Sequence, residues 1–153
     1  MKGEKISNVI VNKMQLKLPS LSANEGMARA AVAAFVSQLD PTAVELADIK
    51  CAISEAVTNA IVHGYRHTQG YININVWLLE GRVAKIEIRD RGCGIENVKL
   101  ARQPLYTTDR ESERSGMGFT VMESFMDKVK VSSKIGRGTS VTLYKILSGR
   151  GIT

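Results

Sequence analysis

Residues 53–60, Ile-Ser-Glu-Ala-Val-Thr-Asn-Ala, place a carboxylate and a carboxamide four residues apart. They lie in a segment whose apolar residues, Leu46, Ile49, Ile53, Val57 and Ala60, recur at helical spacing. Side chains at i and i+4 share a helix face, about 5–6 Å apart at Cβ. The pattern predicts a helix with one stripe in a core and with Glu55 and Asn59 together beside it. A carboxylate so placed can orient a hydroxyl and take its proton, and a neighbouring amide oxygen can hold a Mg²⁺ that carries nucleotide phosphates. Three Gly-x-Gly elements follow, Gly92/Gly94, Gly116/Gly118 and Gly136/Gly138. Together they point to a nucleotide site and to phosphoryl transfer.

The rest of the chain predicts what surrounds that helix. Met14, Leu16 and Leu18 alternate with Lys13, Gln15 and Lys17, which predicts a half-buried strand over 9–18, stopped by Pro19. Ser22 and Glu25 form a capping-box pattern before an Ala-rich helix running to Leu39. Asp40-Pro41 reads as the N-cap and N1 of the second helix, and Gly64 as its stop. Residues 70–79 and 83–90 read as a hairpin across Glu80-Gly81. The polar stretch 95–115 reads as a lid, a helix is expected from Gly118 to about Asp127, and two strands over 128–134 and 139–146 close the chain. The order β-α-α-β-β-α-β-β predicts an α/β sandwich, a mixed sheet with helices on one face, in one domain over 1–153. A doubly wound nucleotide fold is excluded, because no strand is followed by Gly-x-Gly-x-x-Gly opening a helix, and no Gly-x-x-x-x-Gly-Lys-Ser/Thr is present.

Composition narrows the function classes. With 153 residues, 44% hydrophobic and 24% charged, the chain has the makeup of an ordinary globular domain. No apolar h-region follows Met1, and no apolar run approaches the roughly 20 residues of a membrane span, so the expected place is the cytoplasm. Cys51 and Cys93 read as reduced thiols, and no His/Cys spacing suits zinc. The net charge of +6 suits an acidic partner, but the basic residues are dispersed in sequence and aromatics are 5% of the chain, so neither nucleic acid nor membrane is expected as a direct partner.

Four motifs in order, Glu55-x-x-x-Asn59, Asp90-x-Gly92-x-Gly94, Gly116-x-Gly118 and Gly138-Thr139, resemble the boxes of the GHKL ATPase/kinase superfamily. Ser54 to Tyr65, Ala101 to Leu105 and Glu113 to Phe119 are similar to its branch of anti-sigma factor serine kinases. The resemblance implies a Bergerat-type ATP-binding fold with ATP and Mg²⁺ as cofactors. It implies Glu55 as the catalytic base and Asn59 as the Mg²⁺ ligand. Asp90 would read the adenine amino group, with Gly92 and Gly94 giving close approach and Thr139 supporting the aspartate. Gly116 and Gly118 would bind phosphates at a helix N-terminus, and Arg114 would reach the terminal phosphate. Arg29 would contact protein partners, namely a sigma factor and the anti-anti-sigma protein that is the phosphorylation substrate, in a homodimer. By residues alone, Glu55, Arg114 and Arg29 also read as surface side chains. The catalytic domain of a histidine kinase and a nucleotide-gated binding module without kinase activity are the alternatives.

Overall fold

The computed structural model describes residues 5–66, 68–103 and 118–148. Strand β1 (Ile10–Pro19) leads into helices α1 (Asn24–Val36) and α2 (Ala43–Asn59), then strands β2 (Tyr71–Leu79) and β3 (Val83–Asp90). Helices α3 (Val98–Ala101) and α4 (Gly118–Phe125) and strands β4 (Lys128–Lys134) and β5 (Gly138–Ile146) follow. The strands form one sheet in the order β1-β2-β3-β5-β4.

The expected mixed sheet is corrected to an antiparallel one, since every pairing among the described strands is antiparallel. Two helices in succession return the chain to the end of the sheet where β1 stopped, so Pro19 pairs with Tyr71 and β2 runs back along β1. A single crossover helix would have delivered a parallel neighbour. β3 and β4 do run in the same direction, but β5 inserts between them and pairs with both.

Helices pack on one face. Strand residues Ile72, Ile74, Val76, Ile86, Ile88 and Leu143 alternate inward, and α1 and α2 lay Val32, Val36, Ile49, Ile53 and Val57 against them, all nearly inaccessible to solvent. Full burial of such a side chain stabilises by about 1.5–3 kcal/mol, so this layer sets the sheet's register. Lys145 Nζ reaches across the layer to Asp48 Oδ2 at 3.2 Å and to the Phe125 carbonyl at the end of α4. Among the described residues no helix is long and apolar enough to cross a membrane.

Two helix starts differ from expectation. The N-cap of α2 is Thr42, whose hydroxyl accepts from the Glu45 N–H at 3.1 Å while Glu45 Oε1 accepts from the Thr42 N–H at 2.9 Å. Asp40, before a proline and so disfavoured in the α region, instead closes the preceding 3₁₀ turn in a left-handed conformation at φ 53°. The Ser22 capping box does not form; the Glu25 N–H bonds the Ser22 carbonyl at 3.2 Å, and the Glu25 carboxylate is taken by Arg29. Within the expected lid, residues 98–101 form a helix with Asn97 as N-cap. Arg102 then ties the segment to Glu123 at 2.9 Å and to the Val129 carbonyl at 3.1 Å. The remainder of that stretch, from 104 on, lies outside the described residues.

Candidate functional site

The helical path of α2 does not end at Asn59 but widens into a π turn over Ala60–Gly64, with the Tyr65 N–H reaching back five residues to the Ala60 carbonyl. Such a turn, common at functional sites, swings His63 and Gly64 over the end of β3. A cavity of about 330 Å³ opens between this turn, the loop after β3, α3 and the first turn of α4. Asn59, Asp90, Gly94, Gly118 and Thr139, singled out in sequence, all line it, among apolar residues that include Ala56, Ile88 and Val141.

Asp90 is the buried polar group of this cavity, 8% exposed. Its Oδ1 accepts the Gly92 N–H at 2.9 Å, and the Thr139 main-chain N–H also points at the carboxylate. Burial raises the Asp90 pKa above the ordinary aspartate value of 3.8, and these two N–H donors offset part of the shift. The backbone here has no room for larger side chains. A Cβ on Gly64 would sit 3.0 Å from the Asp90 carboxyl carbon, and a Cβ on Gly92 would lie 2.1 Å from the Gly64 carbonyl oxygen. Gly92 therefore works from beneath the cavity, by letting two loops touch; the Cys93 N–H completes that contact on Gly64 O at 2.8 Å.

Asn59 meets the start of α4: a Cβ on Gly118 would be 3.0 Å from the Asn59 amide nitrogen. The α2 motif and the Gly116-x-Gly118 motif, distant in sequence, thus meet at the cavity wall. Glu55 sits one turn before Asn59 on the same helix, half-buried, and is not part of the cavity wall. Arg114 and Gly116 lie outside the described residues. Arg29 is elsewhere, on α1. Its guanidinium pairs with Glu25 at 2.9 Å and donates to Ser54 Oγ at 3.0 Å, with 42% of the side chain exposed. Both cysteines are free; Cys51 is exposed, and Cys93 lines the cavity with its thiol 3.3 Å from the His63 carbonyl.

Three contributors were missed in sequence. Ser133 Oγ accepts the Ile95 N–H at 2.7 Å and lies 2.8 Å from Thr139 Oγ1, so it fastens the loop after β3 to the start of β5. The signal was its place, third after Val129 and Val131 on the inward row of β4. Thr139 accordingly supports Asp90 through its main chain, while its hydroxyl belongs to Ser133. Gly64 was read only as a helix stop, although it is also the surface on which Asp90 rests. Tyr65 accepts the Arg91 N–H at 2.9 Å and donates to the Tyr71 carbonyl, bracing the strand end that carries Asp90.

The family model for the histidine kinase-like ATPase domain matches residues 18–145. The anti-sigma F factor of Anoxybacillus flavithermus is 56% identical over 138 residues, covering 90% of this chain and 94% of that protein. The anti-sigma F factor of Clostridium acetobutylicum is 53% identical over 137 residues, with 90% and 95% covered. Among solved structures, the RsbU and RsbW domains of a Mycobacterium tuberculosis protein superpose with a TM-score of 0.67 at 21% identity. That match covers 94% of this chain and 35% of that one, and is a likeness of fold.

Proposed function

The chain belongs to the histidine kinase-like ATPase domain family and, within it, to the anti-sigma F factors. On that premise we propose that it is an ATP-dependent serine kinase that holds a sigma factor inactive and phosphorylates the anti-anti-sigma antagonist. The observation that carries this reading is the convergence of Asn59, Asp90, Gly94, Gly118 and Thr139 on one cavity, with Glu55 one turn away.

The residues fit ATP. A buried acceptor-only carboxylate among apolar walls suits the adenine amino group, and guanine would present a carbonyl there instead. Gly118 opens α4 and lines the cavity with Phe119, so phosphates would sit at that helix start, whose first N–H groups have no partner within the helix. When bound, ATP supplies the phosphoryl group and Mg²⁺ neutralises the charge of its oxygens. Among the described residues no group of three His, Cys, Asp or Glu can hold a metal alone. Asn59 would hold Mg²⁺ by its amide oxygen, sharing it with phosphate. Glu55 orients the substrate serine hydroxyl and accepts its proton. Arg114 would meet the terminal phosphate, where a guanidinium fork stabilises developing charge. Arg29 has 42% of its side chain exposed and offers partners a cation held ready by Glu25. The same family membership supports a homodimer acting in the cytoplasm during sporulation.

The test is affinity capture on the tagged chain with and without Mg-ATP, followed by mass spectrometry. ATP-dependent capture of a sigma factor, and phosphoserine on a second captured protein, are expected. Capture of neither, or phosphate on histidine, would sink the proposal.

A further inference from the structure

The helices cover one face of the sheet, and the opposite face carries an ordered array of charge. Alternation and register put Lys13, Trp77, Lys85, Tyr144 and Lys128 in one row across all five strands. Cation and aromatic ring alternate along it. Lys13 Nζ is 5.2 Å from the centre of the Trp77 ring and Lys85 Nζ 4.7 Å; Lys85 and Lys128 lie 5.8 and 5.7 Å from the Tyr144 ring. Lys130 adds a further contact to Tyr144 at 5.8 Å. The rings are a floor rather than a surface, since Tyr144 is 9% exposed and Trp77 packs with Ile6 against Leu79, Val83 and Tyr144.

Farther up the same face stand Lys17, Arg89 and Lys134. The face therefore holds seven cations, Lys13, Lys17, Lys85, Arg89, Lys128, Lys130 and Lys134, against one carboxylate, Glu87. Glu87 forms no ion pair with any of them; its oxygens accept from Asn75 at 3.1 Å and Ser140 at 3.4 Å, and its single charge leaves the face strongly positive. Among the described residues these seven cations form no ion pair. Uncompensated like charge held in rows is an unfavourable arrangement for a free surface and a favourable one for an anionic partner.

We propose that this uncovered sheet face docks an acidic segment of a protein partner. Its spacing and its chemistry both select that occupant. Lys13, Lys85 and Lys128 sit on alternate strands, about 10 Å apart at their roots. An acidic helix repeats a carboxylate face every seven residues, about 10.5 Å. Phosphates of one nucleic-acid strand follow at about 3.4 Å along the axis, and the rings that would stack bases lie beneath lysines. A second copy seated face to face would set lysines against lysines. The surface is on the far side of the sheet from the nucleotide cavity, so the proposal stands or falls apart from the kinase reading.

Trp77 is the chain's single tryptophan, so its emission reports on the row directly. The probe is a poly-glutamate peptide, with poly-glutamine as the control. Saturable change of Trp77 emission with poly-glutamate alone is expected, weakening steeply with added salt. Lys13→Gln, Lys85→Gln and Lys128→Gln combined should lower that affinity about tenfold, with far-UV circular dichroism and ATP affinity unchanged. The salt titration of the unmodified protein tests the proposal independently of that variant. No Trp77 response to poly-glutamate, a response indifferent to salt, or undiminished binding by the folded variant would overturn it. Tighter binding of oligodeoxythymidylate or phosphatidylserine vesicles, or self-association abolished by the same substitutions, would assign the face to a different occupant and overturn it equally.

Discussion

Replacing Asp90 by asparagine separates the cost of holding a buried carboxylate from its use. In the free protein that carboxylate is desolvated, and two main-chain N–H groups compensate it only in part. A folded-state pKa above the unfolded value means that Asp90's favourable contribution to folding is fully present below the unfolded pKa. That contribution is lost as pH rises through the folded one. At neutral pH, the carboxamide of the Asp90→Asn variant can still accept the Gly92 N–H, which lies 2.9 Å from Asp90 Oδ1 in the native chain, without carrying a buried charge. The variant should therefore melt at or above the wild-type temperature. Nucleotide binding should go the other way. Hydrogen bonds to charged groups contribute about 1.5–3 kcal/mol, so ATP affinity should fall about 10- to 150-fold. Discrimination against GTP should narrow, because the amide also offers a donor. Wild-type ATP affinity should itself decline as pH falls through the raised Asp90 pKa, above 3.8, and the variant should lack that decline. Calorimetric titration with ATP and GTP across pH, beside thermal melts, reads all three. A variant that binds ATP within twofold of wild type, or that melts well below it, would overturn the role given to Asp90.

Glu55→Gln keeps the shape of α2 and removes the base, so phosphorylation should fall about 10²–10⁴-fold with ATP binding retained; single-turnover assays with labelled ATP decide it. Gly92→Ala drives a Cβ to 2.1 Å from the Gly64 carbonyl oxygen, and should destabilise by about 1–3 kcal/mol in urea unfolding, with ATP affinity falling too. Arg29→Ala removes an ion pair of an exposed kind worth under about 1 kcal/mol. Its melting temperature should barely move, while partner affinity in calorimetry drops about thirtyfold; equal affinities would make Arg29 a surface residue only. Thr42→Ala deletes the α2 capping box and should cost about 1 kcal/mol in the same urea assay.

Much of the site was legible because it depends on local spacing. The period of Leu46, Ile49, Ile53 and Val57 fixed α2, and with it Glu55 and Asn59. Asp90 was readable as the last residue of an alternating strand before two glycines. What escaped depends on contacts made only after folding. Gly64 looked like a helix stop because nothing local shows that Asp90 will lie against it. Thr42-x-x-Glu45 and Ser22-x-x-Glu25 carry the same capping-box pattern, and Asp40-Pro41 a competing helix-start pattern; only Thr42 caps a helix, because Glu25 is paired with Arg29 and Asp40 closes the turn before. The lysines looked dispersed because a sheet face draws every second residue from five strands, so neighbours in space are tens of residues apart in the chain. The antiparallel sheet was missed for the same reason: apart from α3 inside the expected lid the element order was right, but the insertion of β5 between β3 and β4 is a property of pairing, not of order.

If the cavity serves transfer of phosphate to serine on a partner, the chemistry of the product decides the matter. The chain, labelled ATP, Mg²⁺ and the partner protein captured on it are mixed, and the product is treated with acid before phosphoamino-acid analysis. Acid-stable phosphoserine on the partner is expected, formed by wild type and nearly absent with Glu55→Gln. Acid-labile phosphate, or phosphoserine formed equally by the Glu55→Gln variant, would contradict a serine kinase that uses Glu55 as its base.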